Sequence, residues 1–274
     1  MSIRINVDPT NPGQFFACCG LLELADRLFG DAEGWFERKR FFVATSGTLE
    51  TLLAILVMDP PEEVTRLDNG LPVKPLIAPL RFSFDGGATT SVTIDAWMTI
   101  AINKNKVTTG PNRPWNFWSG QQTSLSIWLA LRLALAEQLS ELGGPKADEI
   151  LSQRVPLTGR FGFDPGAAWN ALDVGFSPNT QQMPVSSSPA TEMLAAVGLQ
   201  RFRPLLSDDR QSFVYSTWGQ PLLPSVAAAA ASSLVRVAPA TSFRGQVVNR
   251  GQYAALSYST LLNGALHDKA TDTD

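Results

Sequence analysis

The chain has 274 residues and a mass of 29.6 kDa, enough for one large domain or two small ones with a substantial core. It holds 22 basic and 25 acidic side chains, a net charge of −3, two cysteines and one histidine, His267, close to the C-terminal end. A single histidine argues against Ser-His-Asp and Cys-His catalysis and against multi-histidine metal sites, and the longest apolar stretch, 125–135, is too short and interrupted to span a bilayer.

The elements follow in chain order. Residues 2–7 alternate at period 2 and predict an opening strand. The Asp-Pro-Thr-Asn-Pro-Gly cluster at 8–13 predicts a turn, and apolar residues on one face of 15–28 predict a helix ending at Gly30. Within that helix Cys18 and Cys19 are adjacent, a spacing that rarely meets disulfide geometry. They read as small core residues of a reduced, cytoplasmic protein, with a redox role as the other reading. Residues 35–45 predict one strand containing the basic run Arg38, Lys39 and Arg40, and Ser46 is placed as the cap of a short helix over 49–58.

Residues 80–84 and 91–95 flank Asp85-Gly-Gly and predict a hairpin. Residues 103–122 read as a polar, Gly- and Pro-bearing loop of 20 residues, a length that in compact domains goes with function or disorder. Helices are predicted over 123–142, 189–199 and the Ala-rich 224–234, and strands over 201–205, 212–217, 241–248 and 253–259. Asp164, before Pro165, reads as a turn residue. Helices and hairpins mix without a βαβ rhythm, so the expected class is α+β with mainly antiparallel hairpins and no doubly wound sheet. No internal repeat or Gly-rich phosphate motif is visible. A weak boundary at 143–145 divides an N-terminal α+β region, 1–144, from a second, 145–266, which also reads as part of the same domain, and 267–274 is expected to be a disordered tail.

Charge is unevenly placed. Residues 1–70 hold 6 basic and 11 acidic side chains, whereas 99–136 and 210–266 hold no acid at all. An isolated cation in an acid-free stretch keeps its full field, which suits a polyanion; the other reading is a buried, low-charge segment. The 103–122 loop gathers Lys104, Asn105, Lys106, Asn112, Arg113, Trp115, Gln121 and Gln122. Lysine and arginine neutralise phosphates, indoles stack on bases, and amides pair with base edges, so these are candidate nucleic-acid contacts. The alternative is that Trp115, Phe117 and Trp118 anchor the loop in the core and leave only its Lys/Asn tip exposed. Asn179, Gln181 and Gln182 form a second amide group, or an ordinary turn before a helix. Arg201 and Arg203, on one face of a strand at period 2, form a candidate phosphate clamp, or ion pairs with Asp208 or Asp209. The second acid-free stretch holds Arg210, Arg236, Arg244 and Arg250, of which Arg244 and Arg250 are candidate contacts. The carboxylates, Asp95, Asp164 and Asp173 among them, show no two-metal spacing, and no catalytic residue, metal or cofactor is assigned.

Three stretches carry a family resemblance: NPGQFFACCGLLELADRL at 11–28, GRFGFDP at 159–165 with Trp169, and PATEMLAAVGLQRFRP at 189–204. Together they resemble the compact large-subunit-like proteins of type I-U (I-G) CRISPR effector complexes. The resemblance implies a non-catalytic subunit of an RNA-guided surveillance complex, partnered by CRISPR RNA, target double-stranded DNA, and the backbone and crRNA-processing subunits. It further implies sensing of the protospacer-adjacent motif and recruitment of a helicase–nuclease, with base pairing reading the sequence and protein reading the short motif. The alternative is a structural subunit that touches mainly guide RNA and protein; a stand-alone enzyme is the third reading.

Overall fold

The computed structural model describes residues 2–58, 60–65, 72–83, 91–104, 106–112, 114–118, 122–141, 149–165, 185–250 and 253–262. Their architecture is α+β: five helices and several small antiparallel sheets. Two buried helices form the centre. Helix α1, Pro12–Phe29, starts where the Asn11 side chain accepts the Gln14 amide at 3.1 Å and Pro12 presets the first helical φ. It ends at Gly30, whose φ of 75° is the left-handed value that the helix C-terminus needs. Every residue from Pro12 to Ala25 is buried, so this helix has a wet face only in its last turn.

Helix α2, Leu49–Met58, is capped by Thr48, whose hydroxyl accepts the Thr51 amide at 3.2 Å; the cap expected at Ser46 falls two residues later. Helix α3 is Ser124–Glu141, and α4, Pro189–Gly198, repeats the start of α1 with a Ser188 cap on the Thr191 amide and a proline in its first turn. Helix α5 is Pro224–Ala231. Helices α1 and α4 cross so closely that a Cβ on Gly20 would sit 1.9 Å from the Leu194 carbonyl oxygen, and one on Gly198 2.1 Å from that of Phe16. Only glycine permits this approach of two backbones. The pair joins regions that lie on opposite sides of 143–145 in the sequence.

Strands β1 (Ser2–Asn6), β2 (Glu33–Glu37) and β3 (Arg40–Ala44) form a sheet in the order β1-β3-β2. The single strand expected over 35–45 is thus a hairpin, and the basic run is its turn; Arg38 takes φ 55°. Strands β4 (Glu62–Glu63), β5 (Leu80–Ser83) and β6 (Ser91–Ile94) form a second sheet, with β5 and β6 the expected hairpin. Strands β7 (Met98–Asn103) and β8 (Lys106–Pro111) pair only with each other among the described residues. Strand β9 (Val155–Leu157) pairs with β10 (Val185–Ser187). The last sheet runs β11 (Leu205–Leu206), β12 (Ser212–Ser216), β13 (Ser242–Arg250), β14 (Tyr253–Leu256), with β15 (Thr260–Leu261) also on β13.

One hydrophobic cluster runs through these layers and is rich in rings. Phe15 contacts Tyr215 at 4.4 Å between ring centroids and Phe36 at 5.4 Å, and Trp218 stands edge-on to Phe36 at 4.9 Å. The polar tips are satisfied: Trp218 Nε1 donates to the Gly34 carbonyl at 2.7 Å, and the Tyr215 hydroxyl to that of Pro9 at 2.8 Å. Cys18 and Cys19 are fully buried free thiols, and burial raises both pKa values.

Buried charge is organised around α1 and α4. Glu192 accepts the backbone amides of Gly162 (2.9 Å), Phe163 (3.2 Å) and Asp164 (3.1 Å) and the Ser187 hydroxyl (3.3 Å). Asp164 is itself buried, accepts Asn11 Nδ2 at 3.0 Å and lies 3.5 Å from Arg154; it is a tie between segments rather than the turn residue expected. Glu23 is held by Arg27 at 2.6 Å and by Arg201 at 2.5 Å. No helix among the described residues is long and apolar enough to cross a membrane.

Candidate nucleic-acid interface

The segment expected as a 20-residue loop begins as one side of a hairpin, with 103 and 106–111 paired. Residues 106–111 return along 98–103 in unbroken register, from Met98 opposite Pro111 to Asn103 opposite Lys106. The two-residue connection opens with Lys104 at φ 51°, the positive value demanded by tight hairpin turns. The signal was present in the sequence: Thr99-Ile-Ala-Ile-Asn103 alternates, and an Asn-bearing pair follows it. The polarity of 103–122 as a whole masked that pattern.

Opposed residues of an antiparallel pair share a face, so the ribbon has two unlike sides. Ile100, Ile102, Val107 and Thr109 stand on one, Thr99, Ala101, Asn103, Lys106 and Thr108 on the other. Ile102 is 76% exposed and Ile100 48%, unusual for a strand pair that covers no core. A lone two-stranded ribbon is marginal in water, and this one is held at its root. Asn112 donates from its backbone to the Trp97 carbonyl at 2.7 Å and from Nδ2 to that of Ala96 at 2.7 Å, and the Thr109 hydroxyl donates to the Pro72 carbonyl at 3.1 Å. Lys104 and Lys106 are exposed at the far end.

The other candidates divide. Trp115 is buried, edge-on to Phe16 at 5.9 Å and to Phe213 at 5.3 Å; it cannot stack on a base without leaving the core. Trp118 and Phe117 are buried with it, Trp118 donating Nε1 to the Leu76 carbonyl at 2.7 Å. Asn112 is the root clamp described above, and Gln122 donates to the Thr158 carbonyl at 3.2 Å. Arg201 and Arg203 follow α4 in a turn, not a strand, so they share no strand face. Their partners are Glu23 and, at 3.5 Å, Asp95, not Asp208 or Asp209. Arg203 thereby sits at the ribbon root, where the Asp95 and Ala96 backbone amides donate to Gln200 Oε1 at 2.8 and 3.1 Å. Burial pushes the Asp95 carboxyl above its ordinary value, partly offset by Arg203. Arg244 is exposed on β13, in another sheet. Asn105, Arg113, Gln121, Asn179, Gln181 and Gln182, the Arg250 side chain, Asp173 and His267 lie outside the described residues.

Among the described residues no group of three or more His, Cys, Asp or Glu side chains could hold a metal ion. No protein-family model matches the chain, and no curated protein or solved structure is similar to it.

Proposed function

We propose that the chain is a non-catalytic, nucleic-acid-binding subunit of a cytoplasmic RNA-guided CRISPR surveillance complex, offering its β7–β8 ribbon to target DNA. The observation that supports this reading is the ribbon itself: a paired projection, outside the core beyond Met98 and ending in Lys104 and Lys106, in a stretch of sequence without acids. A two-stranded ribbon fits the major groove, lysines neutralise phosphates, and exposed isoleucines can wedge against base steps where a duplex opens. The CRISPR context comes from the resemblance of 11–28, 159–165 and 189–204. The α1–α4 crossing and the Glu192 site give those three stretches a common structural purpose. Motif sensing and recruitment of a helicase–nuclease belong to the same proposal.

The test is to assemble the complex with Lys104, Asn105 and Lys106 all changed to alanine and to measure duplex binding with and without the adjacent motif. The proposal expects weaker binding of the motif-bearing duplex by the variant. Equal binding by variant and wild type contradicts it. A second reading, a structural subunit docked on protein and guide RNA, is favoured by exposed Leu129 and Leu133, one turn apart on α3. Intact assembly with unchanged duplex binding supports that one instead.

A further inference from the structure

The first sheet has a second face, turned away from the core, and its nine outward positions form three registered rows. Ser2, Ala44 and Glu33 make one row; Arg4, Phe42 and Trp35 the next; Asn6, Arg40 and Glu37 the last. The middle row places two aromatic rings and a guanidinium side by side, both rings partly open to solvent and Trp35 also packed against the margin of the core. The Trp35 and Phe42 rings lie 5.3 Å apart with planes 7° from parallel, and both are only half-buried. The inward residues of the same strands, Ile3, Ile5, Phe36, Phe41 and Val43, already supply the sheet's core contacts. Of the outer pair, Phe42 lies outside that core and Trp35 touches only its margin, so part of each ring remains open for stacking.

At the end of the same sheet an open groove of about 650 Å³ is lined by the hairpin turn together with Asn6, Asp8 and Gln14. The turn brings Arg38, Lys39 and Arg40 to one place, all exposed, and among the described residues none of the three makes an ion pair. The nearby acids do not cancel them. Asp8 is occupied by the Thr10 amide and hydroxyl at 3.0 and 2.7 Å, leaving Glu37 as the exposed acid of that row.

We propose that this face is a stacking site for single-stranded nucleic acid, with unpaired bases laid against Trp35 and Phe42 and the backbone carried over the Arg38-Lys39-Arg40 turn. Aromatic ring surface beside a cation cluster is complementary to a strand whose bases are free to stack, and a duplex, with its base faces already covered, cannot use the rings. Three strands span roughly 10 Å, room for two or three nucleotides. The site is separate from the ribbon, and its test needs no assembled complex.

The experiment is fluorescence anisotropy of the full chain with labelled RNA and DNA oligonucleotides of about a dozen nucleotides, single-stranded and duplex. Trp35→Leu and Phe42→Leu are each expected to weaken single-strand binding roughly tenfold, and Trp35→Phe, which keeps a ring, to bind nearly as the wild type does. The triple change Arg38→Gln, Lys39→Gln, Arg40→Gln removes no core contact and should lower the slope of log K against log salt by about 2. Absence of single-strand binding by the wild type overturns the proposal, as does wild-type affinity in the triple glutamine variant, whether or not the leucine variants fold. A loss of single-strand binding confined to Lys104→Ala with Lys106→Ala overturns it too.

Discussion

Glu192 shows how much one side chain can hold. Its carboxylate collects three consecutive backbone amides of the 160–165 segment and a serine hydroxyl, in a place without solvent. Burial pushes its pKa above the ordinary 4.5, and Arg160 opposes that shift. A raised folded-state value means the native protein binds this proton more tightly than the unfolded chain does. The resulting stability is full below 4.5 and is lost as pH rises through the raised value. Glu192→Gln, which offers one acceptor to several donors, should cost about 1–3 kcal/mol. In urea unfolding, the wild type's advantage over that variant should shrink as pH rises above 4.5, and a gap independent of pH would count against this account. Arg201 tells a related story. Its partner Glu23 lies 178 residues away, so periodicity alone suggested a phosphate clamp where the fold has an ion pair. With its side chain 36% exposed, Arg201→Gln should lower stability by about 1–2 kcal/mol. It should leave nucleic-acid affinity alone, a pairing that thermal melts and anisotropy check together.

At the scale of elements, the sequence carried most of the helices because their caps and apolar faces are local. Asn11-Pro12 and Ser188-Pro189 open helices, and Gly30 closes one, for reasons contained within a few residues. The two hairpins at 33–44 and 98–111 were less legible. In both, the sequence between the strands is charged or amide, Arg38-Lys39 and Lys104-Asn105, rather than the Gly pair that marked β5–β6. The close crossing of α1 on α4 was invisible because glycine's purpose there is to let another backbone approach. Gly20→Ala should destabilise the protein by about 3 kcal/mol or abolish its soluble expression, because the new methyl meets a carbonyl that cannot move. Gly110→Ala, on the ribbon, meets nothing nearer than the Thr99 hydroxyl at 3.9 Å and should melt within a degree or two of wild type, about 0.5 kcal/mol at most. Equal melting temperatures for the two variants would contradict the crossing.

For the whole molecule, the arrangement of charge matters more than its sum of −3. The acidic first quarter contains the densest cation cluster in the described surface, because Glu23 is buried and paired while Arg38, Lys39 and Arg40 crowd one exposed turn. The ribbon adds Lys104 and Lys106. In the sequence the aromatic-rich segment 103–122 drew attention as one site. In the fold its indoles go to the core, its lysines to a projecting tip, and the partly exposed aromatic pair comes from residues 35 and 42. No local pattern could have sorted rings that pack from rings that face water, since that depends on which sheet face the core takes. If the ribbon tip meets duplex phosphates, Lys104→Ala with Lys106→Ala should reduce the salt slope of target-duplex binding by about 1.8, read from affinities across a salt series. The most direct measurement is photo-crosslinking of the target-bound complex, with attached peptides mapped by mass spectrometry. Nucleic-acid adducts are expected on the 98–111 ribbon and the 33–44 hairpin, and adducts only elsewhere, or none on this chain, would overturn both proposed binding surfaces.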